Sequence, residues 1–237
     1  VILPAVLGGI SLLALRHRLA LSRLVSIGTC LSLVAVATAL VAHASGGTIE
    51  SYAEGNWRAP FGIVLVLDRL SAMMLLLTAV LALLVMIHAV ITGVDRRGRH
   101  FHPLFQLQLL GLNGAFLTGD LFNLFVFFEV FLIASYGLLL HGQGAGRLKA
   151  GVQYVVINLV GSTLFLVGVG LLYGVTGTLN MADMAVRVAA APPGDQGLIA
   201  AGALVLTVVF ALKAALVPLH FWLPGAYAAT TATVAAL

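Results

Sequence analysis

The sequence predicts an all-α, polytopic membrane helix bundle, and three observations carry that expectation. Of the 237 residues, 61% are hydrophobic and only 8% charged, with a mean hydropathy of +1.12, whereas a soluble domain of this size carries roughly three times that charge. The apolar residues fall into runs long enough to cross a ~30 Å hydrocarbon layer as helices. Short polar breaks holding clusters of basic residues separate the runs, so the formal charge of +4 reads as membrane topology and nucleic-acid binding is not expected.

The runs cover about residues 1–15, 24–43, 62–92, 103–118, 120–140, 150–173 and 197–217, with a further start from about 226: seven helices and the beginning of an eighth. The fourth, PLFQLQLLGLNGAFLT, is short and contains glycine, and it is expected to pass into the fifth through a tight turn at Gly119 and Asp120. Arg16, Arg18 and Arg23 lie in the first loop, Arg96, Arg97 and Arg99 in the third, and Arg147 and Lys149 in the fifth. The even-numbered loops hold only Arg58, Arg187 and the flanking Arg69, so the positive-inside rule puts the odd loops in the cytoplasm and the N-terminus outside. The outer loops carry Glu50, Glu54, Asp183 and Asp195, and NMADMAVRVAA within the sixth reads as a short surface helix capped by Asn180. Asp68 with Arg69 reads as a helix start or surface ion pair.

Val1 begins directly in an apolar run with no basic leader, and TTATVAAL ends within what reads as the opening of another span. A piece of a longer chain is therefore expected. Residues 1–102 form a first unit, helices 1–3 with an outer loop at 44–61. Residues 103–237 form a second, a truncated helix repeat of helices 4–7 and the start of 8.

Glu129 lies within the otherwise uncharged run DLFNLFVFFEVFLIASYGLLLH. Nine residues after Asp120, at 1.5 Å per residue, it sits roughly 13 Å deep, near the bilayer centre. Its helical neighbours Phe122, Phe125, Val126, Leu132, Ile133 and Tyr136 offer no charged partner, so another helix or water must support an ionised carboxylate. One reading is a protonated carboxyl bonded for helix packing; the favoured one is a proton path. Lys213, in LIAAGALVLTVVFALKAALVPLHFWLP, favours the path, because opposite charges about 8 Å apart interact by roughly 2 kcal/mol at an effective dielectric near 20. Pro218 in the same run cannot bond back to the Ala214 carbonyl and predicts a broken helix. His220, two turns beyond Lys213 on one helical face, reads either as a proton relay toward the cytoplasm or as an interfacial histidine beside Trp222.

Other polar residues carry less. His100 and His102, with Arg99 beside them and no acid or thiol nearby, read as a solvated loop rather than metal ligands. His43, His88 and His141 sit at span ends and His17 in a basic loop, all expected at the interface. Asn113, Asn123, Asn158, Ser135, Ser162 and Thr163 are expected to bond between helices. Cys30, Met73 and Met74 read as packing residues. No metal site, cofactor motif or phosphate loop is read in the sequence.

The run GDLFNLFVFFEVFLIASYGLLLHG followed by QYVVINLVGSTLFLVGVGLLYGVTGTLNMADMA resembles the D-type subunit of the Mrp-type multisubunit Na+(K+)/H+ antiporters. GNWRAPFGIVLVLDRLSA and LKAALVPLHFWLP extend the likeness over nearly all the chain from about residue 50. The resemblance implies kinship with the proton-pumping membrane subunits of respiratory complex I and membrane-bound hydrogenases. It also implies a buried glutamate on the fifth helix and a lysine on a broken seventh, which by motif position are Glu129 and Lys213. Where complex I relatives read LPDAH, this chain reads LPGAY with Gly225 and Tyr227, a departure that favours the antiporter branch. Relatives of this kind have about fourteen helices in two inverted halves, so this half alone is expected not to transport.

The same resemblance implies a secondary-transporter subunit rather than an enzyme, in a bacterial cytoplasmic membrane, with other antiporter subunits, the lipid bilayer, protons and Na+ or K+ as partners and no cofactor. The alternative is a proton-pumping subunit of a quinone reductase or hydrogenase complex.

Overall fold

Helices form where apolar runs are bracketed by residues that satisfy their free backbone groups. In the computed structural model, which describes residues 1–15, 17–142 and 144–237, the helices are α1 (Ile2–Leu13), α2 (Leu19–Ala44), α3 (Arg69–Thr92), α4 (Phe101–Leu117), α5 (Leu121–Leu139), α6 (Ala145–Thr176), α7 (Met181–Ala189), α8 (Gln196–Lys213), α9 (Trp222–Ala229) and α10 (Ala232–Ala235). Asp68 accepts from the Ser71 amide at 2.7 Å to start α3, and Asp120 from the Asn123 amide at 2.8 Å to start α5. Asn180 accepts from the Ala182 and Asp183 amides, each at 3.1 Å, and starts the expected surface helix α7. The tight turn at Gly119 and Asp120 is present between α4 and α5.

Two expectations change. The run 62–92 is not one helix: residues Val64–Leu67 form a strand, β2, paired antiparallel with β1 (Glu50–Ala53) in the register Glu50↔Leu67 to Ala53↔Val64. IVLVL is rich in β-branched residues, and the Asp68 cap fixes the helix start after it. Five of the seven expected spans, α2, α3, α5, α6 and α8, are long and apolar enough to cross a membrane, while α1 has 12 residues and α4 has 17. At 1.5 Å per residue, α4 covers about 25 Å. It is enclosed by α1, α3 and α5, and its buried residues include His102, Gln106, Gln108 and Asn113.

The loops gather at two ends. At one end the Gly119 amide donates to the Val64 carbonyl at 2.8 Å, the Met181 amide to Gly119 at 2.9 Å and the Leu121 amide to Leu179 at 2.9 Å, which ties the hairpin, the α4–α5 turn and the start of α7 together. At the other end Arg23 bonds Asp95, His141 bonds the Val94 carbonyl, and Arg147 bonds the His141 carbonyl. The basic first, third and fifth loops therefore share one end and the even loops the other, the alternation the charge pattern requires. Arg16 lies outside the described residues.

Two apolar cores fill the bundle. Cys30, Met86, Phe101, Phe105 and Leu109 join α2, α3 and α4, while Phe165, Val169, Leu206 and Val209 join α6 and α8. α6 and α8 approach closely at Gly168 and Gly202, where a Cβ on either would lie 3.1–3.2 Å from the other's carbonyl oxygen. The outer faces expose Val36, Leu77, Ile91, Leu159 and Leu204, a pattern suited to lipid.

Candidate functional site: a polar cavity at the end of α8

α8 stops at Lys213, five residues before Pro218. The Ala215 amide bonds the Leu212 carbonyl at 3.1 Å and the Leu216 amide bonds Ala211 at 2.9 Å, the paired bonds of a Schellman terminus, with Ala215 in the left-handed region at φ 51°. The helix closes before Pro218, which lies in the turns that follow, where a proline bars its continuation. Residues 214–221 are non-helical, mostly turns, and α9 begins at Trp222. The Trp222 indole N–H donates to the Leu212 carbonyl at 3.0 Å, so this aromatic is buried across the interruption rather than interfacial.

Lys213 projects from the last turn of α8 into a cavity of about 180 Å³. Gln108 of α4, Ser135 of α5, Tyr154 and Asn158 of α6, and Tyr227 of α9 supply its polar lining. The Lys213 Nζ is buried with no hydrogen-bond partner among the described residues and lies 5.3 Å from the centroid of the Phe128 ring. Gln108 Oε1 is likewise unpaired there. A buried lysine amine without a partner is costly and is characteristic of functional positions in membrane proteins.

Glu129 follows Phe128 on α5. Its Oε1 accepts the hydroxyl of Ser162 on α6, the helix packed along both α5 and α8. Glu129 and Lys213 make no contact ion pair; the ring of Phe128 lies beside the ammonium instead. Ser162 bonds between helices as expected, and so does Ser135, whose hydroxyl lies 3.1 Å from the Tyr154 hydroxyl. Asn158 instead donates to Tyr154 of its own helix, and Thr163 to Leu159 of its own.

His220 is exposed in the turn between α8 and α9. The helical face assumed to carry it beyond Lys213 ends at Lys213, so the two residues share no helical face. His88 Nδ1 lies 2.8 Å from the Thr233 hydroxyl, and His43 pairs with Glu50 at 2.7 Å on the surface.

A charged group that the sequence did not reveal lies at the basic end. Arg23 holds both oxygens of Asp95, at 2.6 and 2.8 Å, and the Asp95 side chain is fully buried. His102 is not in a solvated loop: it is 3% exposed, with Nδ1 2.9 Å from the Ser26 hydroxyl and Nε2 3.4 Å from Asp95. Burial opposes the Asp95 charge, but the hydrogen bonds and charge of Arg23, with His102, outweigh it and hold the carboxyl below its ordinary range. His141 is also buried rather than interfacial; burial pushes its imidazole down, and Nε2 lies 3.0 Å from the Val94 carbonyl. Arg23 and Asp95 are 72 residues apart, so only the fold joins them.

Helices of spanning length around an interior that holds an unpaired lysine and a hydroxyl-bonded glutamate define a multi-pass helical membrane protein with ionisable groups inside its bundle. Residues 118–237 match the family described as NADH:quinone oxidoreductase/Mrp antiporter, transmembrane, and the chain belongs to that family. It is 60% identical over 184 residues, 78% of its own length and 34% of the relative's, to a protein of Rhizobium meliloti named as the D-type subunit of a probable K(+)/H(+) antiporter. It is 42% identical over its whole length, and 48% of the relative's, to the D-type subunit of the Na(+)/H(+) antiporter of Alkalihalophilus pseudofirmus. Among solved structures, a chain of the Mrp complex from Dietzia sp. DQ12-45-1b superposes with a TM-score of 0.88 at 35% identity, covering 99% of this chain and 43% of that one. A chain of the membrane-bound sulfane sulfur reductase, an archaeal respiratory membrane complex, gives 0.92 at 30% identity, covering 99% and 48%. The chain thus spans half or less of the length of these relatives, and the likeness to the D-type antiporter subunit read from the sequence is borne out.

Proposed function

We propose that this chain is the first half of a subunit of a multisubunit monovalent cation/proton antiporter in a bacterial cytoplasmic membrane, with odd loops inside and Na+ or K+ exchanged for protons. Glu129 and Lys213 are its proton-handling groups: a proton or cation arriving near one alters the charge the other can carry. The observation that carries this reading is Lys213, whose amine has no partner among the described residues and lies at the end of α8 in a polar cavity. The relatives named as D-type antiporter subunits support the reaction class. The non-helical stretch from 214 to 221, with Pro218 in it, frees backbone beside the lysine, and His220, exposed in that stretch, is the relay toward the cytoplasm. Residues 103–237 are the helix repeat that holds this half-path, and the rest of the parent and its partner subunits complete it.

The test is cation-dependent proton flux in vesicles bearing the full-length parent in its complex, with Na+ and K+ compared. Glu129→Gln or Lys213→Ala should abolish exchange while the complex still assembles. Near-normal exchange by either variant defeats the reading.

The likeness to the sulfane sulfur reductase favours one alternative, a pumping subunit of a redox-driven complex. Flavin or iron–sulfur centres in the purified parent complex, with proton movement dependent on electron transfer, would select it.

A further inference from the structure

At the basic end of the bundle, a cavity of about 340 Å³ opens between the start of α2, the segment after α3 and the start of α4. Arg96, Arg97 and Arg99 line it, all exposed, together with His17, Leu19 and the buried His102. Asp95 is the one acid in the lining, and both its oxygens are engaged by Arg23. Among the described residues the three arginines are therefore left without an internal counter-charge.

His102 is the second observation. Its Nδ1 lies 2.9 Å from the Ser26 hydroxyl, while its Nε2 is buried and outside hydrogen-bond geometry, though 3.4 Å from Asp95. His102, with Arg23, accounts for the Asp95 carboxylate at the floor of the cavity, so the positive field at the rim comes from the three arginines and suits an anionic oxygen ligand there. The ligand's source is set by depth. The cavity lies where α2 begins, α3 has ended and α4 begins, and because α2 and α3 are long and apolar enough to cross a membrane, a lipid headgroup at the edge of the hydrocarbon layer suits it, with Leu19 adding an apolar residue to its wall.

We propose that this cavity binds the phosphate of an anionic phospholipid headgroup, with Arg96, Arg97 and Arg99 as its charge partners. The site is separate from the Lys213 cavity and does not depend on the transport reading.

The full-length parent in its complex, stripped of lipid in detergent, is titrated with phosphatidylglycerol or phosphatidylcholine and bound lipid is read by native mass spectrometry. Phosphatidylglycerol should be retained in preference to phosphatidylcholine. Replacing Arg96, Arg97 and Arg99 together by Gln should weaken that retention about fivefold per arginine, whereas replacement by Lys should keep most of it. Retention unchanged in the Gln variant, or equal binding of the two lipids, overturns the proposal. Displacement of phosphatidylglycerol by inorganic phosphate at similar concentration also overturns it, because the site would then serve a free anion.

Discussion

Ser162 on α6 donates its hydroxyl to the carboxyl of Glu129 on α5, so a residue 33 positions away supports a half-buried acid. A hydrogen bond to a charged group contributes roughly 1.5–3 kcal/mol, far more than a surface contact. Ser162→Ala should therefore slow cation-dependent proton flux by about tenfold or more with assembly intact, and Ser162→Thr should retain most of the rate. An alanine variant that exchanges at the normal rate would show that this bond only packs helices.

The end of α8 gives a second expectation. Ala215 holds φ 51°, a region that costs an L-residue about 1 kcal/mol and glycine almost nothing. Ala215→Gly should raise the thermal midpoint of the detergent-solubilised protein by a few degrees, and Ala215→Val should lower it. The opposite order would mean that the Schellman closure does not fix where the helix stops.

How much of this was legible beforehand depends on the range of the interaction. Local signals read well: the Asp68 helix start, the Asn180 cap, the turn at Gly119 and Asp120 and most of the apolar runs depend on neighbours in sequence, and these are present. Glu129 and Lys213 stood out because charge in a long apolar run is rare, whichever partners the fold supplies. Arg23, Asp95 and His102 did not stand out, since only the packing of α2 against α3 and α4 buries Asp95 and His102 and brings Arg23 to them. The strand at Val64–Leu67 was missed because a short apolar run before a longer one reads as one helix.

Close approach of α6 and α8 at Gly168 and Gly202 leaves no room for a side chain. A Cβ on Gly202 would lie 3.1 Å from the Gly168 carbonyl and 3.0 Å from Leu172. Gly202→Val should cost about 1–3 kcal/mol by forcing the helices apart, measured as a lower thermal midpoint, with Gly202→Ala milder. The same change at Gly170, where an added Cβ meets nothing within 4 Å, should be nearly silent.

Removing the charge of Asp95 should be more damaging than its position near a loop suggests. The carboxylate is fully buried, and Arg23, 18% exposed at its side chain, would keep its charge without a partner. Asp95→Asn should then cost roughly 3 kcal/mol, in the range for breaking a buried pair from one side. Folding stability measured with and without Arg23→Gln separates the two contributions: if the pair matters as a pair, the double variant is less destabilised than the sum of the singles.

His141 sets a pH dependence whose sign can be worked out. Burial lowers its proton affinity in the folded chain, with the nearby charges of Arg147 and Arg97 acting the same way and the Val94 carbonyl and Asp95 opposing. The unfolded chain, with an ordinary value near 6.5, therefore takes up the proton first as pH falls. Stability is unaffected well above pH 6.5 and declines as pH drops from there toward the lowered folded value, because the unfolded state binds more protons in that window. The thermal midpoint should fall between pH 7 and pH 5, and His141→Gln should flatten that slope while leaving the slope below pH 4, where carboxylates such as Asp95 titrate, in place. A slope unchanged by the substitution would assign the acid sensitivity to another group.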